Sequence, residues 1–228
     1  HEGRFVAVPV NVHRVNWLWA NPEVLKAAGV SVPKTLDEFF ASAEKIKAAG
    51  YIPLAHGGQP WQDATVFEAV ALDVLGSADY NKAFVELDAD ALNSDTTEEV
   101  FRVFGELRNL IDANSPGRDW NVATSMVING EAGMQIMGDW AKGEFTVAGK
   151  SAGTDYVCVA APGTSGAYTF NVDSFAFFEQ SDSAAASAQK TMAAEILGVE
   201  FQEVFNLNKG SIPARLGMAR DEFDTCAH

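Results

Sequence analysis

Two tryptophans flank one helix–strand unit in the middle of the sequence. Trp120 opens an apolar stretch that ends at Asn129 and Gly130, and Trp140 follows a short apolar run and a glycine. A tryptophan beside polar residues at a strand end suits the apolar face of a sugar ring, because C–H groups stack on an aromatic plane while hydroxyls seek polar partners. The alternative, two partly buried core tryptophans, stays open from this segment alone.

Carboxylates offer a second kind of chemistry. Asp173 interrupts an apolar run, where a carboxylate must face solvent or pair with donors, because an unpaired buried charge is costly. A glycosidase would use Asp173 and a second carboxylate as acid and nucleophile or base. Asp139 and Glu144 are available, but Asp139 is better interpreted as a helix cap and Glu144 as an exposed helix residue. Because nucleophile-elbow, zinc and phosphate-loop motifs are missing too, catalysis is the weaker hypothesis.

Short apolar strands alternate with capped helices along the chain, which predicts an α/β fold with a mixed, mainly parallel sheet flanked by helices. Thr35 and Glu38 have the spacing of a capping box, and Val122 is expected to share one helical face with Met126. Thr96 is placed to cap another helix, whose apolar residues share one core-facing stripe: Val100, Val103, Phe104, Leu107, Leu110 and Ile111. The expected sheet strands are residues 5–12, 51–54, 133–137, 156–159 and 173–177.

Composition limits the possible partners. The 228 residues are 47% hydrophobic and 21% charged, as in ordinary globular proteins. The formal net charge of −15 argues against nucleic acid and anionic membranes as partners. No apolar run approaches the ~20 residues that a membrane span needs, so no direct membrane insertion is expected. No cofactor or metal site is expected either.

Three smaller features complete the interpretation from the residues. The sequence begins without Met and stops soon after a cysteine, which suggests a piece of a longer or processed chain. Cys158 and Cys226 are interpreted as two buried free thiols, although one bridge in an oxidising compartment is possible. His13 lies beside Arg14, and such a histidine is more often a surface or hinge packing residue than a ligand.

Several segments resemble the maltose/glucose-type sugar binders among the solute-binding proteins of bacterial ABC transporters. One is the central unit, with INGEAGM at residues 128–134 and Gly138-Asp-Trp140. Another is the late segment that contains Gln202, Phe205, Asn206 and KGSIPAR at residues 209–215. The resemblance covers the whole chain but corresponds to the second, C-terminal lobe of that two-lobe family. Residues 1–228 would then begin near the interdomain crossover.

The resemblance implies a periplasmic-binding-protein type II lobe and a site for a small, glucose-like aldose. Trp120 and Trp140 would stack on the sugar, Asp173 would accept hydrogen bonds from its hydroxyls, and Lys209 would donate to its oxygens. The protein would be a periplasmic or extracellular monomer, not an enzyme, and would deliver its monosaccharide to the membrane permease of an ABC importer. In that compartment Cys158 and Cys226 would form a disulfide.

Overall fold

The computed structural model describes residues 3–227, in which short strands alternate with helices. The strands are β1 (Ala7–Pro9), β2 (Asn11–Arg14), β3 (Trp17–Ala20), β4 (Ile52–Leu54), β5 (Ala132–Ile136), β6 (Val157–Ala160), β7 (Phe170–Asn171), β8 (Ser174–Ala176) and β9 (Ile212–Pro213). The α-helices are α1 (Pro22–Ala27), α2 (Leu36–Ala48), α3 (Pro60–Tyr80), α4 (Ala89–Leu92), α5 (Asp95–Leu107), α6 (Trp120–Ile128), α7 (Ala141–Val147), α8 (Ser183–Ile196) and α9 (Val199–Lys209). A π-helical turn (Asn81–Val85) follows α3, and a 3₁₀ turn (Arg108–Leu110) follows α5.

The main sheet has four strands in the order β4-β5-β3-β6. β4 and β5 are parallel, whereas β3 is antiparallel to both β5 and β6. Three strands therefore run in one direction, and β3 lies reversed between two of them. The α/β class is confirmed, but the expectation of a mainly parallel sheet is wrong, because the reversed strand makes two of the three pairings antiparallel.

Two of the five expected strand segments lie outside this sheet. Residues 5–12 divide between β1 and β2, and residues 173–177 contribute only β8. β1 pairs with β8 in a two-stranded ribbon, and β2 lies between β7 and β9 in a three-stranded one. The two strands diverge after Pro9, where proline removes a ladder donor. Their place in the main sheet is taken by β3, whose Leu18 and Trp19 are fully buried.

Apolar residues pack on both faces of the main sheet. Helices α2, α3 and α5 cover one face, and the α5 side chains Val100, Val103 and Leu107 are buried there, as the periodic pattern predicts. The other face carries Trp19, whose ring stacks against Phe145 at a centroid distance of 5.5 Å. Its cluster includes Tyr156, Trp120 and Trp140 as well.

Two helix caps and one helix face differ in detail from expectation. Thr35 Oγ1 accepts from the backbone amide of Glu38 at 3.2 Å. The Glu38 carboxylate accepts from the backbone amide of Lys34, so it does not complete the capping box with the Thr35 amide. Helix α5 is capped by Ser94, which lies two residues before Thr96. Val122 is exposed, and Ala123 is the residue that α6 buries instead.

The predicted disulfide is confirmed: Cys158 on β6 is bonded to Cys226, with Cα atoms 5.8 Å apart. A second link in the same region joins Lys142 Nζ to Asp224 Oδ1 at 3.2 Å. The residues after β9 form no helix or strand as far as residue 227, and these two links attach their last part to β6 and α7.

Candidate functional site

One edge of the main sheet gathers the polar and aromatic residues of interest. The carboxyl ends of β4, β5 and β6 lie at this edge, and β3 begins there because it runs the opposite way. Trp61 follows β4, while Asp139 and Trp140 follow β5. The Asp139 amide donates to the carbonyl of Arg14 at 2.9 Å, which brings the end of β2 to the same place. Ligands of open α/β sheets collect at such edges.

His13 and Asp139 form a buried pair at this edge. Their side chains are only 2% and 7% exposed, and His13 Nδ1 is hydrogen-bonded to Asp139 Oδ1. The second oxygen of Asp139 accepts from the Arg14 amide at 3.0 Å. Asp139 therefore does not cap the following helix as expected, and Trp140, at that cap position, makes no capping hydrogen bond. A buried carboxylate gains more from an imidazole and an amide than from a cap alone.

Asp173 lies on the solvent side of His13. Its Oδ2 is 3.0 Å from His13 Nε2 and accepts from Asn11 Nδ2 at 3.0 Å. Its Oδ1 accepts a longer bond, 3.3 Å, from Asn171 Nδ2. The side chain is 48% exposed. Asp173 was expected inside a strand, but it occupies the connection between β7 and β8, where its carboxylate can meet both donors and solvent.

The two carboxylates have opposite pKa shifts. Burial raises the pKa of Asp139, and the hydrogen bond from His13 offsets only part of that effect. Partial burial would also raise the pKa of Asp173, but its hydrogen bond from Asn11, its contact with His13 and the charge of Lys209 together hold that pKa below the ordinary value. Asp173 is thus maintained as the ionised, acceptor-only group that faces solvent.

Trp140 stands against the other side of His13. The two rings meet edge to face, with centroids 5.2 Å apart and planes at 84°. Trp61 lies next to Trp140 at 6.2 Å, is 41% exposed, and donates its indole N–H to Gln59 Oε1 at 2.7 Å. A pair of neighbouring indoles beside a carboxylate provides both apolar planes and a polar anchor.

The remaining two expected site residues are placed differently. Lys209 is the exposed last residue of α9, and its charge acts on Asp173. Trp120 is the half-buried first residue of α6 and packs on the same apolar cluster as Trp140. The structure thus places Trp140 and Asp173 against His13, and Lys209 acts on Asp173 through its charge. Trp120 is linked to Trp140 through their common apolar cluster. Ligand contact by these four residues remains a prediction.

Sequence reasoning missed the importance of His13 and did not consider Asn11. Both lie on the same face of β2, and both are buried although polar. Two polar residues at positions i and i+2 of a strand, each preceded by a valine, were the available signal, because buried polar side chains need partners. Trp61, at the start of α3, is exposed and lies against Trp140.

Arg14 closes one side of this edge. Its guanidinium lies 4.5 Å from the ring centroid of Trp17 and 5.5 Å from that of Tyr168. Its Nη2 donates to the carbonyl of Ala167 at 3.3 Å. Burial lowers the pKa of Arg14, but from a value so high that the group stays cationic. Arg14 therefore braces the loop after β6 against the start of β3.

The arrangement does not favour acid–base hydrolysis. Asp139 is buried, and its two carboxylate oxygens are hydrogen-bonded to His13 and to the Arg14 amide. It therefore cannot serve as the second catalytic carboxylate of a glycosidase beside Asp173. Within residues 3–227, no group of three or more His, Cys, Asp or Glu side chains could hold a metal ion. Within that same range, no helix has the length and apolar character to cross a membrane.

Comparison with known protein families identifies the family to which the chain belongs. The model of the bacterial extracellular solute-binding proteins matches residues 2–194. The chain belongs to this family. The family is described as one of extracellular solute-binding proteins, so the resemblance noted in the sequence is confirmed at the level of the family and its extracellular location.

Several of the relatives are sugar-binding proteins by name. A probable sugar-binding periplasmic protein of Brucella suis biovar 1 (strain 1330) is 50% identical over 226 residues, which cover 99% of this chain and 53% of that protein. Its counterpart in Rhizobium meliloti (strain 1021) is 49% identical, with coverages of 99% and 54%. A solved chitin oligosaccharide binding protein matches with a TM-score of 0.82 at 17% identity, covering 100% of this chain and 57% of that chain.

Two consequences follow from these matches. The α/β fold is that of the type II periplasmic-binding-protein sugar receptors, as the sequence predicted. The chain spans about half the length of the curated relatives that it matches, since 53% of the Brucella suis protein is covered.

Proposed function

We propose that this chain provides one sugar-binding surface of an ABC-importer receptor, centred on Trp140, Asp173 and Lys209. The observation that carries the proposal is that Trp140 and Asp173 both contact His13, while the charge of Lys209 acts on Asp173. A sugar needs an aromatic plane for its C–H face and both an acceptor-only and a donor-only group for its hydroxyls. This edge provides all three, and Trp120 adds a second aromatic plane on the same cluster. Membership of a solute-binding family supports it as well.

The chain is proposed to be the second lobe of a two-lobe receptor. Half-length coverage of the relatives supports this assignment. Exposed aromatic side chains support it too: Phe170 and Phe175 on the small ribbons and Phe178 just beyond are 65%, 39% and 79% exposed. A second lobe packed against these ribbons would remove such apolar side chains from water, which is favourable. A facing lobe would cover them and enclose the sugar when the two lobes close.

The proposed ligand is a small aldose, glucose-like in its pattern of hydroxyls. The late segment from Gln202 to Arg215, which contains Lys209, resembles the glucose-type branch of the family. The carboxylate of Asp173 and the ammonium of Lys209 can together hold adjacent hydroxyls. The proposed partner is the permease of an ABC importer, which the receptor would reach as a periplasmic monomer. The relatives' names support a sugar and a periplasmic location but not one particular sugar.

The decisive experiment is calorimetry on the full-length gene product with D-glucose, D-galactose, D-xylose and maltose. Asp173→Ala should abolish most of the affinity for the sugar that binds, because its hydroxyls lose their acceptor. Trp140→Ala should weaken binding by removing the stacking plane. Glu144→Gln, which changes a carboxylate on α7 that forms no part of the proposed site, is the matched control. Absence of binding to all four sugars, or unchanged affinity in Asp173→Ala, would contradict the proposal.

A further inference from the structure

A polar relay runs from the interior of the protein to the proposed sugar surface. Asp139 and His13 are buried, and the relay ends at the half-exposed carboxylate of Asp173. His13 contacts a carboxylate with each ring nitrogen, Asp139 through Nδ1 and Asp173 through Nε2. A histidine used only for packing would not need two such partners.

The hydrogen-bond directions in the relay can be assigned. The amide of Asp173 donates to Asn11 Oδ1 at 3.0 Å, so the Asn11 Nδ2 group must be the part that faces His13 and Asp173. His13 Nε2 therefore lies between a donor, Asn11 Nδ2 at 2.9 Å, and an acceptor, Asp173 Oδ2 at 3.0 Å. On the opposite side of the ring, the acceptor Asp139 Oδ1 requires a proton on Nδ1.

Asp173 Oδ2 consequently keeps a hydrogen-bond donor in both protonation states of His13. As an imidazolium, His13 donates directly to Asp173 Oδ2. As a neutral imidazole, it accepts from Asn11 Nδ2, whose other hydrogen donates to the same oxygen. In either state Oδ2 is engaged on the inner side. Oδ1 accepts only the long Asn171 bond within the described part of the chain, so it retains capacity for a hydroxyl donor.

We infer that His13 is the positioning residue of the sugar site, with Asp139 fixing the imidazole and the imidazole fixing the Asp173 carboxylate and the edge of the Trp140 ring. The inference rests on the proposed function, because it assigns the role that the relay plays for the sugar. His13 itself is too buried to contact a ligand. Its effect is transmitted through Asp173 and through the edge-to-face contact with Trp140.

The relay also determines how Asp173 titrates. Removing His13 removes two of the interactions that lower the Asp173 pKa, and the partial burial that raises it remains. The Asp173 pKa should therefore rise towards or above its ordinary value of 3.8 when His13 is replaced. The other charged groups that act on the two carboxylates or adjoin the relay are Lys142 of α7, Lys209 of α9 and Arg14 of β2.

Two amide substitutions separate the two contacts of the imidazole. In His13→Asn the amide nitrogen can stand near the position of Nδ1, so the Asp139 contact is kept and the Asp173 contact is lost. In His13→Gln the amide nitrogen can reach the position of Nε2, so the Asp173 contact is kept. We expect His13→Asn to weaken sugar binding in the full-length gene product about tenfold to a hundredfold, and His13→Gln by clearly less.

The control is the other buried histidine at this edge, His56, whose Nε2 is 2.8 Å from Asp63 Oδ1. His56→Asn breaks a histidine–carboxylate pair of the same kind, but neither partner is a proposed ligand residue. It should leave sugar affinity unchanged. If His13→Asn does not fold, Asp139→Asn replaces it, because an asparagine cannot accept from both His13 and the Arg14 amide.

The second readout needs no sugar. In the ligand-free protein labelled with ¹³C-aspartate, the Asp173 carboxyl titration should move to higher pH in His13→Asn and move less in His13→Gln. If His13 had a purely structural role, its replacement would weaken sugar binding by the same factor at every pH and would leave the Asp173 titration unchanged. An unchanged Asp173 titration, or wild-type affinity in His13→Asn, would overturn the inference. Failure of the wild type to bind any sugar would instead count against the proposed function alone.

Discussion

The indole ring of Trp140 lies directly over the backbone of Gly138: a Cβ atom built at Gly138 would stand 2.2 Å from Trp140 Cζ3. Glycine at this position is therefore what allows the ring to fold back towards His13 and Trp61.

Gly138→Ala should displace the Trp140 ring. The added methyl overlaps the ring, so we expect a loss of about 1–3 kcal/mol in the free energy of unfolding. Urea unfolding measures this loss, and the shift in tryptophan emission reports the moved ring. Gly143→Ala is the control, because a Cβ there would meet its nearest atoms at an ordinary 3.6 Å. Equal stability of the two variants would contradict this account of Gly138.

Reduction of the Cys158–Cys226 bond should destabilise the protein. The bond closes a loop of 68 residues, and cross-linking so long a loop stabilises the folded state by about 4 kcal/mol on the chain-entropy model. Thermal unfolding with and without a reducing agent should show a lower Tm in the reduced protein. The Cys158→Ser/Cys226→Ser double variant should have the lower Tm whether or not the reductant is present. A Tm that is the same in wild type and double variant would refute the claim.

The Lys142–Asp224 ion pair should respond asymmetrically to substitution. Lys142 is buried, whereas Asp224 is 39% exposed. Asp224→Ala leaves a buried ammonium without its carboxylate and should cost roughly 2–4 kcal/mol. Lys142→Met removes the buried charge and keeps its apolar length, so it should cost much less. Urea unfolding of both variants tests this order. The reverse order would show that packing of the Lys142 side chain matters more to stability than pairing of its charge.

The Asp112–Arg118 pair should contribute stability that depends on pH. Arg118 donates to both oxygens of Asp112 at 2.7 Å and also to the carbonyl of His56 at 3.0 Å, which ties the loop before α6 to the loop after β4. The hydrogen bonds from Arg118 lower the pKa of Asp112 below 3.8. The stabilisation is therefore complete above that value and is lost as pH falls through the lowered pKa.

Asp112→Asn should accordingly reduce the free energy of unfolding at neutral pH. The difference from wild type should shrink as the pH is lowered through and below 3.8, because the wild-type carboxyl then becomes neutral as well. Asp95→Asn, on the exposed start of α5, serves as a comparison for the effect of losing one negative charge. A difference that stays constant with pH would contradict the assignment.

Local patterns predicted individual elements well. The spacing of Val100, Val103 and Leu107 identified the buried face of α5. Apolar residues that recur with a period of 3.6 lie on one side of a helix, and that side packs against the core. Short apolar runs likewise located β4, β5 and β6. Patterns of this kind describe a segment and its immediate surroundings, so they hold wherever the segment is placed.

Arrangement was harder to predict than the elements. Alternating strands and helices suggested parallel neighbours, but no local pattern shows that β3 inserts in reverse between β5 and β6. The relay of Asp139, His13 and Asp173 could not be predicted from the sequence for the same reason. Asp139 lies 126 positions from His13, and each residue by itself has an ordinary local explanation, as a cap or a surface histidine.

The reversed position of β3 affects the order in which the protein can fold. Leu18 pairs with Ile136 on one side and with Val159 on the other, so β3 is synthesised long before either neighbour. Closing such long loops is entropically costly and slows folding. A nascent or translocating chain that lacks residues beyond β4 would present β3 with both backbone edges unpaired, which is a template for aggregation. We therefore expect early folding intermediates of this chain to depend on chaperones until β5 and β6 are available.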